Sequence, residues 1–381
     1  VLPSSQKHRN GILVKRSDNM LSGIRVIDLT RYLPGPHATL RLADMGAEVI
    51  KIEEPKGEPA RQMVLVESAG EKKSSLYLSQ NRGKRSVTAD LKNPEDLKAV
   101  LELVKTADVF IESFRPGVTK RLGLDFDSLI KLNPNIVYCS MTGYGQESPL
   151  AKLGGHDINY LALSGIASRL TDSAGRPIYT DYPFADMIAG LALSEAVLAG
   201  IIYRDRNKKG IYTDFSMTDS VISLMGLYVM HKSLSGKDKD DVPVVSYYLY
   251  ETKDGRFVTL GAIEQKFWNN FCTALKKENW IPEQYSAAEE SNPVYKEISK
   301  KFKKKTLAEW EIFSSEVDCC MMPVYTPAEM IDHKYVRQRR MIEERWGQLH
   351  VATMHSASGS VLDSSCPPPS LGENNELLYK K

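Results

Sequence analysis

Short apolar runs alternate with helical stretches through the first 140 residues, and this alternation restricts the fold more than any other feature. Gly23-Ile-Arg-Val-Ile-Asp-Leu-Thr30, Glu48-Val-Ile-Lys-Ile-Glu53 and Arg85-Ser-Val-Thr-Ala-Asp90 read as strands. So do Asp108-Val-Phe-Ile-Glu112 and Asn135-Ile-Val-Tyr-Cys-Ser140. A helix opening at Pro36 and stopping at Gly46 follows the first run, because proline suits a first turn and glycine a C-terminus. Another spans about 94–106. Strands joined by helices pair in parallel through crossovers, so the first half predicts an open α/β sheet. Ligands of such sheets sit at the loops that leave the carboxyl ends of the strands.

Later segments predict a second body. A long apolar helix over Ala185–Tyr203 precedes a strand at Tyr212–Ser216. The charged stretch 235–241 reads as a linker. Tyr247–Glu251, the Lys253-Asp-Gly255 turn and Phe257–Gly261 make a hairpin pattern. The lysine-rich stretch 295–305 reads as a solvated helix. The expected organisation is residues 20–235 as the first part of a large α/β domain and 240–322 as a small α+β domain. Residues 323–381 then return to complete the large domain, irregular from Ser356. The polar, basic residues 1–19 read as a leader or extension outside the fold.

Charge and cysteines narrow the function classes. A net charge of +2 offers no footprint for nucleic acid or an anionic membrane. Met187–Tyr203 is interrupted by Ser194 and Glu195 and falls short of the roughly 20 apolar residues of a membrane span, so it reads as a buried helix. Five scattered cysteines suggest a reducing compartment, and the adjacent Cys319 and Cys320 lack zinc spacing, so no metal site is expected. A G-x-x-x-x-G-K-[ST] phosphate loop, a G-x-G-x-x-G fingerprint and a G-x-S-x-G elbow are all missing.

Three acid–base candidates remain. His156 follows two glycines in Gly154-Gly-His-Asp-Ile-Asn-Tyr-Leu-Ala-Leu-Ser-Gly165, at the expected start of a helix. It is either a base or simply part of a polar helix start. Asp186 opens the long apolar helix. It is either a cap or a buried carboxyl with a raised pKa. Glu264, after the second hairpin strand, says nothing alone. Basic residues cluster in Gln80-Asn-Arg-Gly-Lys-Arg-Ser86, while Arg115 and Arg121 flank a strand-to-helix junction. They either meet phosphates or form solvated surface.

From Leu21 to Glu373 the chain resembles the family III coenzyme A transferases and racemases, the CaiB/BaiF type. Carrying segments are Gly23–Thr30 with Pro34-Gly-Pro36, Leu42-Ala-Asp-Met-Gly-Ala-Glu-Val-Ile-Lys-Ile-Glu53, Gly83-Lys-Arg-Ser86 and Phe114-Arg-Pro-Gly117. They continue with Gly143-Tyr-Gly145, Phe215-Ser-Met-Thr-Asp-Ser220 and Leu371-Gly-Glu373. Gly155–Gly165 is most similar to α-methylacyl-CoA racemases. The resemblance implies a large Rossmann-like domain, a smaller α+β domain and an interlocked homodimer. It implies His156 and Asp186 as the two catalytic bases, with Glu264 supporting the histidine. In the transferase branch Asp186 is instead the nucleophile, forming a mixed anhydride. That branch carries a glycine run near the start of the small domain, which 255–265 lacks. A non-catalytic CoA-binding protein is a third reading, opposed by the presence of both bases. Coenzyme A enters only as part of an acyl-CoA thioester, without another cofactor. Lys84, Arg85, Arg115 and Arg121 are the implied phosphate contacts. Many relatives carry an arginine where this chain has Glu54, with Lys56 and Arg61 as the candidate substitutes there. The expected location is cytoplasmic. Mitochondrial and peroxisomal sites are alternatives, although Tyr379-Lys-Lys381 is not the usual peroxisomal address.

Overall fold

A computed structural model describes residues 20–68, 70–172, 174–238, 242–353 and 366–379. The expected leader at 1–19, the end of the linker and much of the tail from Ser356 lie outside the described residues. Strands β1 (Arg25–Leu29) and β2 (Glu48–Glu53) are followed by an exposed hairpin, β3 (Leu65–Ser68) and β4 (Glu71–Ser74). Then come β5 (Arg85–Thr88), β6 (Val109–Glu112), β7 (Val137–Thr142) and β8 (Ile211–Ser216). Except for the hairpin, these make one six-stranded sheet in the order β5-β2-β1-β6-β7-β8, every pairing parallel. The open parallel sheet expected from the alternation is present. Its order reverses beside β1, which opens a crevice between the carboxyl ends of β1 and β6.

Helices cover both faces. They are α1 (Pro34–Asp44), α2 (Ser75–Gln80), α3 (Pro94–Val104), α4 (Val118–Leu122), α5 (Phe126–Leu132), α6 (Asp157–Ser164), α7 (Phe184–Asn207) and α8 (Met217–Ile222). Alternate strand residues feed alternate layers: Val26 packs with α1 and α7, whereas Ile27 packs with α3 and α5. Central strands buried on both faces must be nearly continuous in apolar residues, as β6 is. By length and composition α7 resembles a membrane span. Its residues Ala189, Leu193 and Val197 are buried in the core that covers β1, β6 and β7.

Gly190 lets α1 and α7 approach. A Cβ there would lie 2.8 Å from the Pro34 carbonyl oxygen and 2.8 Å from His37 Cδ2. Because one of these neighbours is backbone, Gly190→Ala is expected to cost about 1–3 kcal/mol. Denaturant midpoints of the two proteins test this, and an unchanged midpoint would show that the helices separate freely.

The described residues divide into two units, with the boundaries at Met230/His231 and Arg339/Arg340. Helix α9 (Gly226–Ser235) contains the first boundary. The second unit has strands β9 (Tyr247–Glu251), β10 (Phe257–Gly261) and β11 (Met321–Pro323) in the antiparallel order β11-β10-β9. Its helices are α10 (Gln265–Ala274), α11 (Pro293–Phe302), α12 (Leu307–Glu316), α13 (Pro327–Asp332) and α14 (Lys334–Arg339). Trp268, Trp280, Trp310, Phe271 and Phe302 form its core. This unit runs from His231 to Arg339, where hydropathy and charge placed 240–322. The chain then contributes β12 (Ile342–Arg345) and β13 (Gln348–Val351) to the first unit. There the final residues edge the sheet, with Thr88 donating its N–H to Asn375 Oδ1 at 2.8 Å.

Candidate active site

Loops leaving the carboxyl ends of β1, β6 and β7 surround a cavity of about 540 Å³ in the first unit, together with the starts of α6 and α7. His156 and Asp186 both line it, as do Arg31, Tyr32, Arg115 and Tyr144. His156 is the exposed N-cap residue of α6, with extended backbone, and its N–H donates to Asn159 Oδ1 at 3.0 Å. Gly155 is required by close approach. A Cβ there would lie 2.7 Å from the Tyr144 hydroxyl and 2.8 Å from the Tyr160 ring. The Tyr160 hydroxyl donates to the Gly155 carbonyl at 2.7 Å and so holds the turn that presents His156.

Asp186 stands in the first turn of α7, half-buried. Its carboxyl caps no N–H among the described residues. Instead its own N–H donates to Asp157 Oδ1 at 3.1 Å, and Asp157 is buried. Burial first, and the neighbouring Asp157 second, push the Asp186 carboxyl up to about 7. An aspartate in this setting can hold a proton near neutral pH, which a simple cap would not do. Around it, the N–H groups of Phe184, Asp186 and Met187 donate to the Tyr182 carbonyl, Asp157 Oδ1 and the Pro183 carbonyl.

The basic residues expected to meet phosphates separate. Arg115 lines the His156–Asp186 cavity. Arg121 lines an adjoining cavity of about 710 Å³ at the carboxyl ends of β1, β2 and β5, along with Lys56 and Lys92. Arg31, Phe114 and Val118 line both cavities. Lys84 does not join them. It is buried, 3.4 Å from Asp28 Oδ2, and donates to the Pro36 carbonyl and Asn81 Oδ1. Burial lowers its pKa to about 8 despite Asp28. Arg85 sits at the amino-terminal end of β5 and pairs with Glu48, the first residue of β2, at 2.9 Å. That end of the sheet is opposite the crevice. Arg61 is committed to Glu53 by two hydrogen bonds of 2.7 Å, so of the two expected substitutes only Lys56 lines the adjoining cavity. Glu54 itself pairs with Arg31 at 2.5 Å. Glu264, in the second unit, is the exposed N-cap residue of α10.

Sequence reasoning missed Arg31, Tyr32 and Tyr144 as cavity residues and Asp157 as the neighbour of Asp186. The available signal was position. Arg31 and Tyr32 follow the first strand of a parallel sheet, where ligands gather.

Residues 21–375 match the model of CoA-transferase family III, and the chain belongs to that family. It is similar to the mouse (Mus musculus) α-methylacyl-CoA racemase, 33% identical over 339 residues that cover 84% of this chain and 81% of the relative. It is also similar to the mouse succinyl-CoA:glutarate CoA-transferase, 28% identical over 381 residues, 95% of this chain and 86% of the relative. Among solved structures, a CaiB/BaiF family protein from Brucella suis superposes with a TM-score of 0.84 at 27% identity. That match covers 94% of this chain and 98% of the other. Racemases and transferases both stand among the relatives, so membership defines an acyl-CoA enzyme of this family.

Proposed function

We propose that the chain epimerises the α-carbon of 2-methylacyl-CoA thioesters, with His156 and Asp186 as the two bases. The observation that carries this reading is the pair itself. A histidine and a carboxyl held near pH 7 line one cavity. One of them removes the α-proton as the C–H electrons pass into an enolate. The other delivers a proton to the opposite face as the thioester carbonyl re-forms. The Asp186 carboxyl, raised to about 7, can hold or release a proton near neutral pH, which is where acid–base catalysis is efficient. Arg115 in this cavity, with Lys56, Lys92 and Arg121 in the adjoining one, supplies cations for the phosphates of coenzyme A. The racemase relative supports the reading. The transferase relative supports the competing one, in which the Asp186 carboxylate attacks the thioester and coenzyme A then passes to an acceptor acid.

Incubation with a 2-methylacyl-CoA in heavy water separates the two. Epimerisation predicts α-deuterium incorporation without any acceptor. Coenzyme A exchange that requires a free carboxylic acid, with no deuterium uptake, would sink the racemase reading and establish transfer. Neither signal across a broad substrate panel would leave a CoA-binding protein.

A further inference from the structure

We propose that Glu58 is a positioning residue for the site: its carboxylate, held by Lys51, fixes the backbone of Tyr32 and thereby aims Arg31 and Tyr32 into the cavity of His156 and Asp186. The proposal rests on the acyl-CoA reading for its kinetic consequence, but the clamp itself does not.

Three consecutive residues at the carboxyl end of β1 have every backbone N–H committed to a side chain. The Thr30 N–H donates to Asp28 Oδ1 at 2.8 Å, the Arg31 N–H to Ser113 Oγ at 3.2 Å and the Tyr32 N–H to Glu58 Oε2 at 2.9 Å. Tyr32 needs such a hold. Its φ of 66° lies in the left-handed region that a bulky non-glycine residue rarely adopts, and such a conformation persists only where its surroundings impose it.

Glu58 in turn is held from beneath. Its Oε1 lies 2.9 Å from Lys51 Nζ, with side-chain exposures of 2% and 0%, so the charges are fully withdrawn from water. Lys51 Nζ also donates to the Thr30 carbonyl at 2.8 Å, tying the same loop a second time. The Glu58 N–H donates to Glu53 Oε2 at 3.2 Å, and Glu53 is gripped by Arg61. A buried ion pair is a weak source of stability, because desolvation offsets most of the attraction. This one is instead used for geometry. Its second carboxylate oxygen accepts from Tyr32, whose left-handed backbone conformation needs enforcing.

The consequence reaches both cavities. Arg31 lines each of them, its guanidinium 5.2 Å from the Phe114 ring centroid and paired with Glu54. A shift of about 1 Å in groups that position a substrate can cost on the order of 100-fold in rate.

Glu58→Ala and Glu58→Gln distinguish the acceptor from the charge. Glutamine keeps an oxygen for the Tyr32 N–H, whereas alanine removes it. Calorimetric titration with coenzyme A counts competent sites, so kcat is expressed per folded site. Glu58→Ala is expected to lower kcat per site by about 10- to 100-fold, and Glu58→Gln by less than about threefold. Wild-type kcat and KM in Glu58→Ala at full stoichiometry overturn the proposal. So does an equal loss in both variants, which would assign the effect to the charge. If Glu58→Ala does not fold, hydrogen exchange of the wild-type protein decides. The Tyr32 amide is expected to be protected like the neighbouring strand amides, and rapid exchange there overturns the clamp. A wild-type protein without deuterium uptake or acceptor-dependent exchange defeats the acyl-CoA reading alone, because the Tyr32 amide still reports on Glu58.

Discussion

His156→Ala is expected to slow α-deuterium uptake by about 10³-fold while leaving the melting temperature nearly unchanged. The factor corresponds to about 4 kcal/mol of transition-state stabilisation. The fold should tolerate the change because the His156 side chain is exposed and the contact that shapes the turn is made by its backbone N–H. Tyr160 continues to hold Gly155, so the α6 terminus keeps its shape. The result also separates mechanisms. Transfer through an Asp186 anhydride uses the histidine only indirectly, and the variant would then keep substantial acceptor-dependent exchange. Uptake within tenfold of wild type would remove His156 from the chemistry.

Asp186→Asn is expected to abolish turnover and at the same time to stabilise the protein above neutral pH. The carboxyl is held at about 7 in the folded state, against an ordinary value of 3.8. Between these limits the folded chain keeps a proton that the unfolded chain has lost. Stability from this group therefore falls as pH rises from about 4 to 7 and stays low above. Asparagine removes the penalty. Asp186 is only half-buried, so solvent screening reduces the gain to roughly 1–3 kcal/mol at pH 8, with little gain at pH 4. Glu112, raised by burial to about 7, contributes a similar slope, but it is common to both proteins and cancels in their difference. Melting curves of the two proteins at pH 4 and pH 8 make the test. Equal differences at both pH values would show that Asp186 is not raised.

The same group sets the sign of the pH–rate profile. Two-base exchange needs the His156–Asp186 pair to carry one proton, so the direction in which Asp186 is the acid should slow as pH rises through about 7. Nucleophilic attack needs the ionised carboxylate and should quicken across the same range.

Much of the first unit was legible because parallel strands buried on both faces must be apolar throughout, and such runs stand out between helices. The hairpin of β3 and β4 was not legible. Leu65–Ser68 is exposed, and Glu71–Ser74 is mostly polar, so neither shows a buried face. His156 and Asp186 were visible as helix starts, yet only the fold shows that two starts some thirty residues apart open on one cavity. Lys84 and Arg85 illustrate the reverse. Adjacent basic residues looked alike, but Arg85 opens β5 and pairs with Glu48, whereas Lys84 precedes the strand and finds its counter-ion in Asp28, fifty-six positions away. No local pattern carries that information.

The buried charges beneath the β1 loop also bear on how the sheet assembles. Asp28, Lys51, Glu58 and Lys84 come from four separate segments, and each needs at least one of the others to offset its loss of water. A chain that has paired β1 with β2 but has not yet placed Lys84 leaves Asp28 short of one of its counter-charges. The edge from β5 to β1 is therefore tied together by shared buried charges, and a nick between Glu54 and Gly57 is expected to weaken all three strands at once, unlike a cut in an ordinary surface loop.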